Sequence, residues 1–401
     1  MNGGAQLKWY MAGQASWFIS LGLQFVLFPF LVTNVLHETP ARVGIAQMSL
    51  MIPSLVFMLY GGVIADRRDG RKILLLVHVL AALPPLALGL TIASGTMSYE
   101  TLIIYALAMG TLGAFAIPAR DAALTRVAGE NVQKAVTIAM GTQLSAQLIG
   151  MLLAAATEFS GPAPLLYLQM AIMLAGGLSV YRLMAMPPHT KTTVRTHPLA
   201  DILDGFKAAY ATPGVLTVVG LMFGVGCFYV GSFLVVLPIM VRDVYQGGAL
   251  EFSIVNACFW GGTILTTLTI MRTGHIARRG RAMMCALMSG AVVLVVLSFP
   301  VPFPVLCVLT FIWGLGAGTT MTMSRTIVQS SAPASHRARI LSLFQLGFSG
   351  GTPIGALLIG QLVGRLGLYN AVLAPAAAMM FVLALVSVVT NFWRRHDPVP
   401  E

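Results

Sequence analysis

Apolar residues in this chain come in long unbroken runs separated by short polar stretches. The runs fall at about 9–35, 43–65, 73–94, 101–123, 135–157, 164–185, 213–241, 252–272, 282–300, 304–327, 338–362 and 369–391. A membrane helix needs about 20 apolar residues, and continuous apolarity of that length, repeated twelve times, predicts twelve spans. Strands of an outer-membrane barrel would be about ten residues long with alternating polarity, and that alternation is absent. The predicted fold class is an all-α membrane protein with twelve transmembrane helices.

Composition agrees. The 401 residues are 57% hydrophobic and only 9% charged, against about 25% charged in soluble domains, and the mean hydropathy is +0.84. The first run is too long for a signal-peptide core and ends at no small-residue cleavage site, so it reads as a retained span. Cys227, Cys258, Cys285 and Cys307 all lie inside apolar runs, which suits packing residues better than disulfides or metal ligands.

A net charge of +11 would suit nucleic acid if the bases were clustered, but they are spread through the loops. With a cytoplasmic N-terminus, 21 of the 24 Lys and Arg fall on the cytoplasmic side, and only Arg42, Arg242 and Arg365 face outward. That asymmetry follows the positive-inside rule. It predicts cytoplasmic N- and C-termini, and it would be scrambled by an odd number of spans. The longest loop lies at the midpoint and contains Asp201-Ile-Leu-Asp-Gly-Phe-Lys207, a candidate short amphipathic helix. The expected organisation is two six-helix bundles, 1–186 and 213–401, joined by a cytoplasmic linker at 187–212.

An internal repeat supports two halves. Shifted by 205 residues, Arg120 falls on Arg325, Gly150 on Gly355 and Lys134 on Arg339. Gly62-Val-Ile-Ala65 recurs as Gly274-His-Ile-Ala277, each copy followed by bases. Parallel halves are a known transporter plan with the substrate site near the midplane.

The segment from Gly62 to Lys72 reads GVIADRRDGRK. It resembles the signature loop between the second and third helices of the major facilitator superfamily, with Asp69 where the general signature has glycine. That variant is similar to the branch of enterobactin, macrolide and related drug exporters. Ile117-Pro-Ala-Arg-Asp121, Asp204-Gly-Phe206 and Gly350-Gly-Thr-Pro-Ile-Gly355 suit the same branch. The resemblance spans essentially the whole chain. It implies alternating access in a bacterial inner membrane, a monomer, and a latch on the cytoplasmic side. Carried over residue by residue, that latch comprises Gly62, Asp66, Arg67 and Arg71, with Arg120 and Asp121 beside them. Gly62 would allow close helix approach. Asp66 would gain from the N-terminal amides of the eleventh helix. Arg68, Arg71 and Lys72 are also accounted for by orientation alone.

None of the thirteen acids lies at mid-span, and the acid that many relatives carry in the first helix is missing after Ser20-Leu-Gly-Leu23. Proton coupling is therefore expected only if Asp121, Asp243 or a histidine stands in. His78 is the only histidine well inside a span, and a lone histidine there reads first as a hydrogen-bonded structural group. The interior is instead neutral and polar. Gln14, Trp17, Leu21 and Gln24 share one face of the first helix; Phe228, Tyr229 and Ser232 lie in the seventh. In the resembled fold the first, fourth, seventh and tenth helices line the cavity, which makes Gln14, Trp17, Gln24, Phe228, Tyr229, Ser232 and Arg325 the candidate substrate-cavity residues. Amides, aromatics and 23 methionines suit a bulky amphipathic or apolar substrate such as a drug or siderophore. The alternative for these groups is stitching helices together. The expected activity is proton-coupled export of a small molecule. A facilitator or importer without protons is the first alternative, and a non-transporting receptor or assembly factor the second. No Walker loop, nucleophile–base pair or metal-ligand cluster occurs, so neither enzyme activity nor a cofactor is expected.

Overall fold

A computed structural model describes residues 3–129, 131–186, 206–207, 209–210, 212, 214–273, 276, 278–332, 337–390 and 392–393. Among them, twelve helices are long and apolar enough to cross a membrane. They are α1 (Gly3–Phe30, continued by a π turn at Leu31–Val35), α2 (Pro40–Arg67), α3 (Gly70–Ala93), α4 (Tyr99–Ala128), α5 (Val132–Ala154) and α6 (Pro162–Tyr181). The second set is α7 (Val215–Asp243, with a π turn at Val225–Val230), α8 (Ala249–Thr273), α9 (Arg279–Leu297), α10 (Phe303–Ser331), α11 (Arg337–Leu366) and α12 (Leu368–Val389). Of the candidate amphipathic stretch 201–207, residues 201–205 lie outside the described residues, as do Gly274, His275 and Ala277 of the second repeat element.

Local chemistry sets the helix ends. Ser98 caps α4 in a reciprocal box with Thr101: each side chain oxygen accepts from the other's backbone N–H, at 3.3 and 3.1 Å. This satisfies amides that the helix leaves open. Gly161 and Gly367, with φ of 75° and 77°, turn the chain into α6 and α12, a left-handed conformation that glycine adopts without penalty. Pro29 interrupts the α1 ladder, and its carbonyl accepts the Thr33 hydroxyl at 2.8 Å where the π turn begins.

The chain divides into two compact units. The first comprises Met1–Glu38, Ser49–Thr193 and Gln246–Ser253; the second comprises Thr39–Met48, Val194–Tyr245 and Ile254–Glu401. The start of α2 belongs to the second because Gly44 backs onto Ala356 and Gly360 of α11. In each unit the first full helix is the most enclosed: 72% of the α1 window and 83% of the α7 window are buried, against 28% for α2 and 22% for α8.

The repeat is visible in how each unit is seamed. A Cβ on Gly150 of α5 would lie 2.1 Å from the Ile19 carbonyl oxygen of α1 and 2.9 Å from the Gly22 Cα. A Cβ on Gly355 of α11 would lie 2.0 Å from the Cys227 carbonyl oxygen of α7. Gly22 and Cys227 are separated by the same 205 residues as Gly150 and Gly355, so one backbone-to-backbone crossing occurs in both units. Another repeated contact joins α2 to α4 and α8 to α10. Ser54 Oγ donates to the Gly110 carbonyl at 2.7 Å, and Thr263 Oγ1 donates to the Gly314 carbonyl at 3.0 Å. Small residues and short hydroxyl bonds are how helices associate where lipid offers no hydrophobic drive.

The close approach expected at Gly62 falls one residue earlier. A Cβ on Gly62 would meet nothing within 4 Å, whereas one on Gly61 would lie 2.3 Å from the Ala114 carbonyl oxygen. Pro118, four residues after Ala114, has no N–H to donate to that carbonyl, so α2 approaches α4 at an acceptor the helix leaves bare.

Candidate functional site

The polar side chains of the first unit gather around α1. Tyr10, Gly13, Gln14 and Trp17 of α1, Leu74 and His78 of α3, Ala116 and Arg120 of α4 and Val180 of α6 line a void of about 10 Å³. That volume holds at most one water; it is not a substrate chamber. Gln14 Nε2 donates to the Ala139 carbonyl of α5 at 2.6 Å. The Trp17 and His78 rings meet edge to face with centroids 5.7 Å apart. Arg120 places its guanidinium over the Phe18 ring at 4.5 Å, and its carbonyl accepts from the Tyr10 hydroxyl at 3.1 Å. A cation on an aromatic face recovers part of the hydration it loses on leaving water.

Further along α1, Gln24 joins a second buried network. The Tyr105 hydroxyl of α4 lies 3.3 Å from Gln24 Oε1 and 3.4 Å from Gln169 Oε1 of α6. Gln169 Nε2 donates to Ser20 Oγ at 3.0 Å. The shared α1 face therefore fans out, with Gln14 toward α5, Trp17 toward α3 and Gln24 toward α4. The cause is the enclosure of α1: an amide in hydrocarbon takes the nearest internal partner. Tyr10, Phe18, Tyr105 and Gln169 were not among the residues singled out from the sequence. The available signal was that Tyr105 and Gln169 are polar groups inside apolar runs.

In the second unit the π turn of α7 carries Phe228 and Tyr229. Tyr229 donates to the Leu287 carbonyl of α9 and meets Trp313 of α10 edge to face at 6.0 Å. Phe233, Phe259 and Trp313 extend the group with centroids 4.5 to 6.0 Å apart. Ser232 is fully buried, and its hydroxyl donates to the Phe228 carbonyl at 2.6 Å. Phe228 is half-buried, and Arg325, the repeat partner of Arg120, is exposed.

Among the described residues, the latch candidates Arg120 and Arg71 have different neighbours, Arg120 over the Phe18 ring of α1 and Arg71 over the Tyr181 ring of α6. The Asp66 side chain lies outside the described residues. Arg67 and Asp121 are exposed. Arg71 is tied to the end of α6: it donates to the Tyr181 carbonyl at 2.5 Å and lies over the Tyr181 ring at 5.0 Å, a cation at a helix C-terminus. Asp69 has a role the sequence reading did not give it. Its carboxylate caps α3, accepting from Arg71 N at 2.9 Å and from Met186 N at 3.1 Å. An aspartate just before a helix start was the signal.

Twelve apolar helices in two seamed units, with interior polarity that is almost wholly neutral, define a polytopic membrane protein of the secondary-transporter class. The chain belongs to the transmembrane secretion effector family, whose model matches residues 9–396, and with it to the major facilitator superfamily. It is 28% identical over 386 residues to the enterobactin exporter EntS of Shigella boydii serotype 18, covering 92% of this chain and 87% of that one. The figures for EntS of Escherichia coli O81 are the same. The fold is shared with the nucleoside transporter NupG (TM-score 0.73, 16% identity, covering 97% of this chain and 99% of that one). It is also shared with a bacterial homolog of the human lysosomal transporter Spinster (TM-score 0.70, 13% identity, covering 98% and 96%). These relatives are transporters, not enzymes, and the chain is a transporter of major facilitator type with a small-molecule substrate.

Proposed function

We propose that this transporter exports a bulky amphipathic or apolar small molecule, of the drug or siderophore kind, by alternating access driven by the proton gradient. The chief support is the match to an exporter over 92% of the chain. The chemistry of the spans points the same way. No acid lies at mid-span, so nothing there would hold a small hydrated metal cation. The half-buried ring of Phe228 offers stacking and apolar surface. Of the candidate cavity residues, half-buried Phe228 and exposed Arg325 keep side-chain surface free for a substrate. Gln14, Gln24, Tyr229 and Ser232 have their polar atoms engaged within their own units, so they act chiefly by shaping the wall. On this reading the protein works as a monomer in the bacterial inner membrane, and the distribution of Lys and Arg supports cytoplasmic termini.

Everted vesicles test this. Accumulation of ethidium or a catecholate siderophore that requires an acidic lumen is the expected result. Accumulation indifferent to the gradient would leave a facilitator, and transport of no compound in a broad panel would leave a receptor.

A further inference from the structure

The Nδ1 atom of His78 lies 2.8 Å from the Leu74 carbonyl oxygen, one turn back on α3. Its Nε2 atom lies 3.3 Å from the Gly13 carbonyl oxygen on α1. A carbonyl oxygen only accepts, so each contact needs an N–H at that nitrogen. A neutral imidazole has one N–H. Whichever tautomer it adopts, the other nitrogen's lone pair faces an oxygen lone pair, in a site where His78 is only 3% exposed. The imidazolium alone satisfies both contacts.

The seat is shaped for the ring. A Cβ on Gly176 of α6 would lie 2.8 Å from the His78 Cδ2 atom and 1.8 Å from Ser16 Oγ, and one on Gly177 would lie 3.5 Å from the His78 Cβ. Trp17 closes one side, edge to face. The titratable and charged groups facing His78 are Tyr10 from α1 and Arg120, with Asp121 next to it, from α4. From α6 come only glycines and Val180.

We infer that His78 is the proton-binding site of this transporter, taking one proton on Nε2 and so turning the Nε2–Gly13 contact into a charged hydrogen bond that fastens α3 to α1. The step is plain protonation: a proton from the aqueous side adds to the Nε2 lone pair, and the imidazolium keeps its Nδ1–H on Leu74. His78 is the histidine that the spans offer as a proton acceptor. It thus fills the place of the carboxylate the spans lack. The Arg120 guanidinium is a like charge in the same cluster, so it and a protonated His78 repel each other.

This inference rests on the proton-coupled reading above, and two measurements separate their failures. The first is solid-state NMR of ¹⁵N-histidine protein in nanodiscs, titrated from about pH 8 to about pH 5. His78 is picked out from the seven histidines by dipolar contact between its Nε2 and a ¹³C-carbonyl glycine, which needs no mutation. Conversion of that ring to a doubly protonated imidazolium is expected; a ring that keeps one bare nitrogen down to about pH 5 overturns the inference. The second compares wild type with His78→Gln and His78→Asn in ethidium-loaded proteoliposomes. The variants are expected to lose gradient-driven transport tenfold or more while retaining gradient-free counterflow. Full gradient drive in both variants overturns the proton site and leaves proton-coupled export standing. Wild-type transport that ignores the gradient overturns the proposed function instead, and the NMR result then decides on His78.

Discussion

The crossing of α1 and α5 at Gly150 offers the sharpest test of the packing. Gly150→Ala adds a methyl group 2.1 Å from a backbone oxygen and 2.9 Å from a glycine Cα. Backbone cannot swing aside as a side chain would, so the helices must part by about 1 Å. A gap of that size forfeits roughly a quarter to a half of the dispersion attraction along the seam. Overpacking of this kind costs about 1–3 kcal/mol. Gly355→Ala, 2.0 Å from the Cys227 oxygen, is expected to behave alike in the second unit. Gly141→Ala is the control. Its Cβ meets nothing within 4 Å, so only helix propensity acts, a gain of up to about 1 kcal/mol. Thermal denaturation of detergent-purified protein, followed by fluorescence size-exclusion, should rank Gly141→Ala at or above wild type and the other two several degrees below. Equal melting of all three would refute the backbone-seam account.

Three further perturbations follow. Asp69→Ala removes the α3 cap and its bond to Met186, lowering stability by about 1 kcal/mol, while Asp69→Asn retains most of it; the same melting assay decides. Tyr105→Phe strips the hydroxyl that joins Gln24 to Gln169 and should cost about 0.6 kcal/mol, at most about 1.7, with no loss of expression. Asp66→Asn is expected to leave expression intact, impair transport and shift cysteine accessibility toward the inward-open state. Normal transport with unchanged accessibility would remove Asp66 from the latch.

The spans were legible because lipid imposes one chemistry along a whole helix: every run of apolar residues emerged as a helix, with ends that differ from the run boundaries by a few residues. The Gly150–Gly355 repeat was also legible, since a crossing that admits no Cβ leaves glycine behind. What stayed hidden depended on rotation about helix axes. A shift of one residue turns a helix position by about 100°, which is why the close approach sits at Gly61 rather than at the signature position Gly62. The partners of buried amides were equally unreadable. Gln14, Trp17 and Gln24 share a face on paper, yet three different helices surround it. The double acceptor at His78 could not be foreseen either, because Gly13 contributes a backbone oxygen, and no side-chain pattern records that.

The central claim is that this chain moves an amphipathic molecule against a proton. Proton flux in proteoliposomes, read by a lumenal pH dye, tests it most directly. Adding ethidium to vesicles of purified wild-type protein with an acidic lumen should alkalinise the lumen at a rate that follows ethidium entry. Ethidium entry with no change in lumenal pH, or a pH change that Asp66→Asn and empty vesicles reproduce in full, would contradict it.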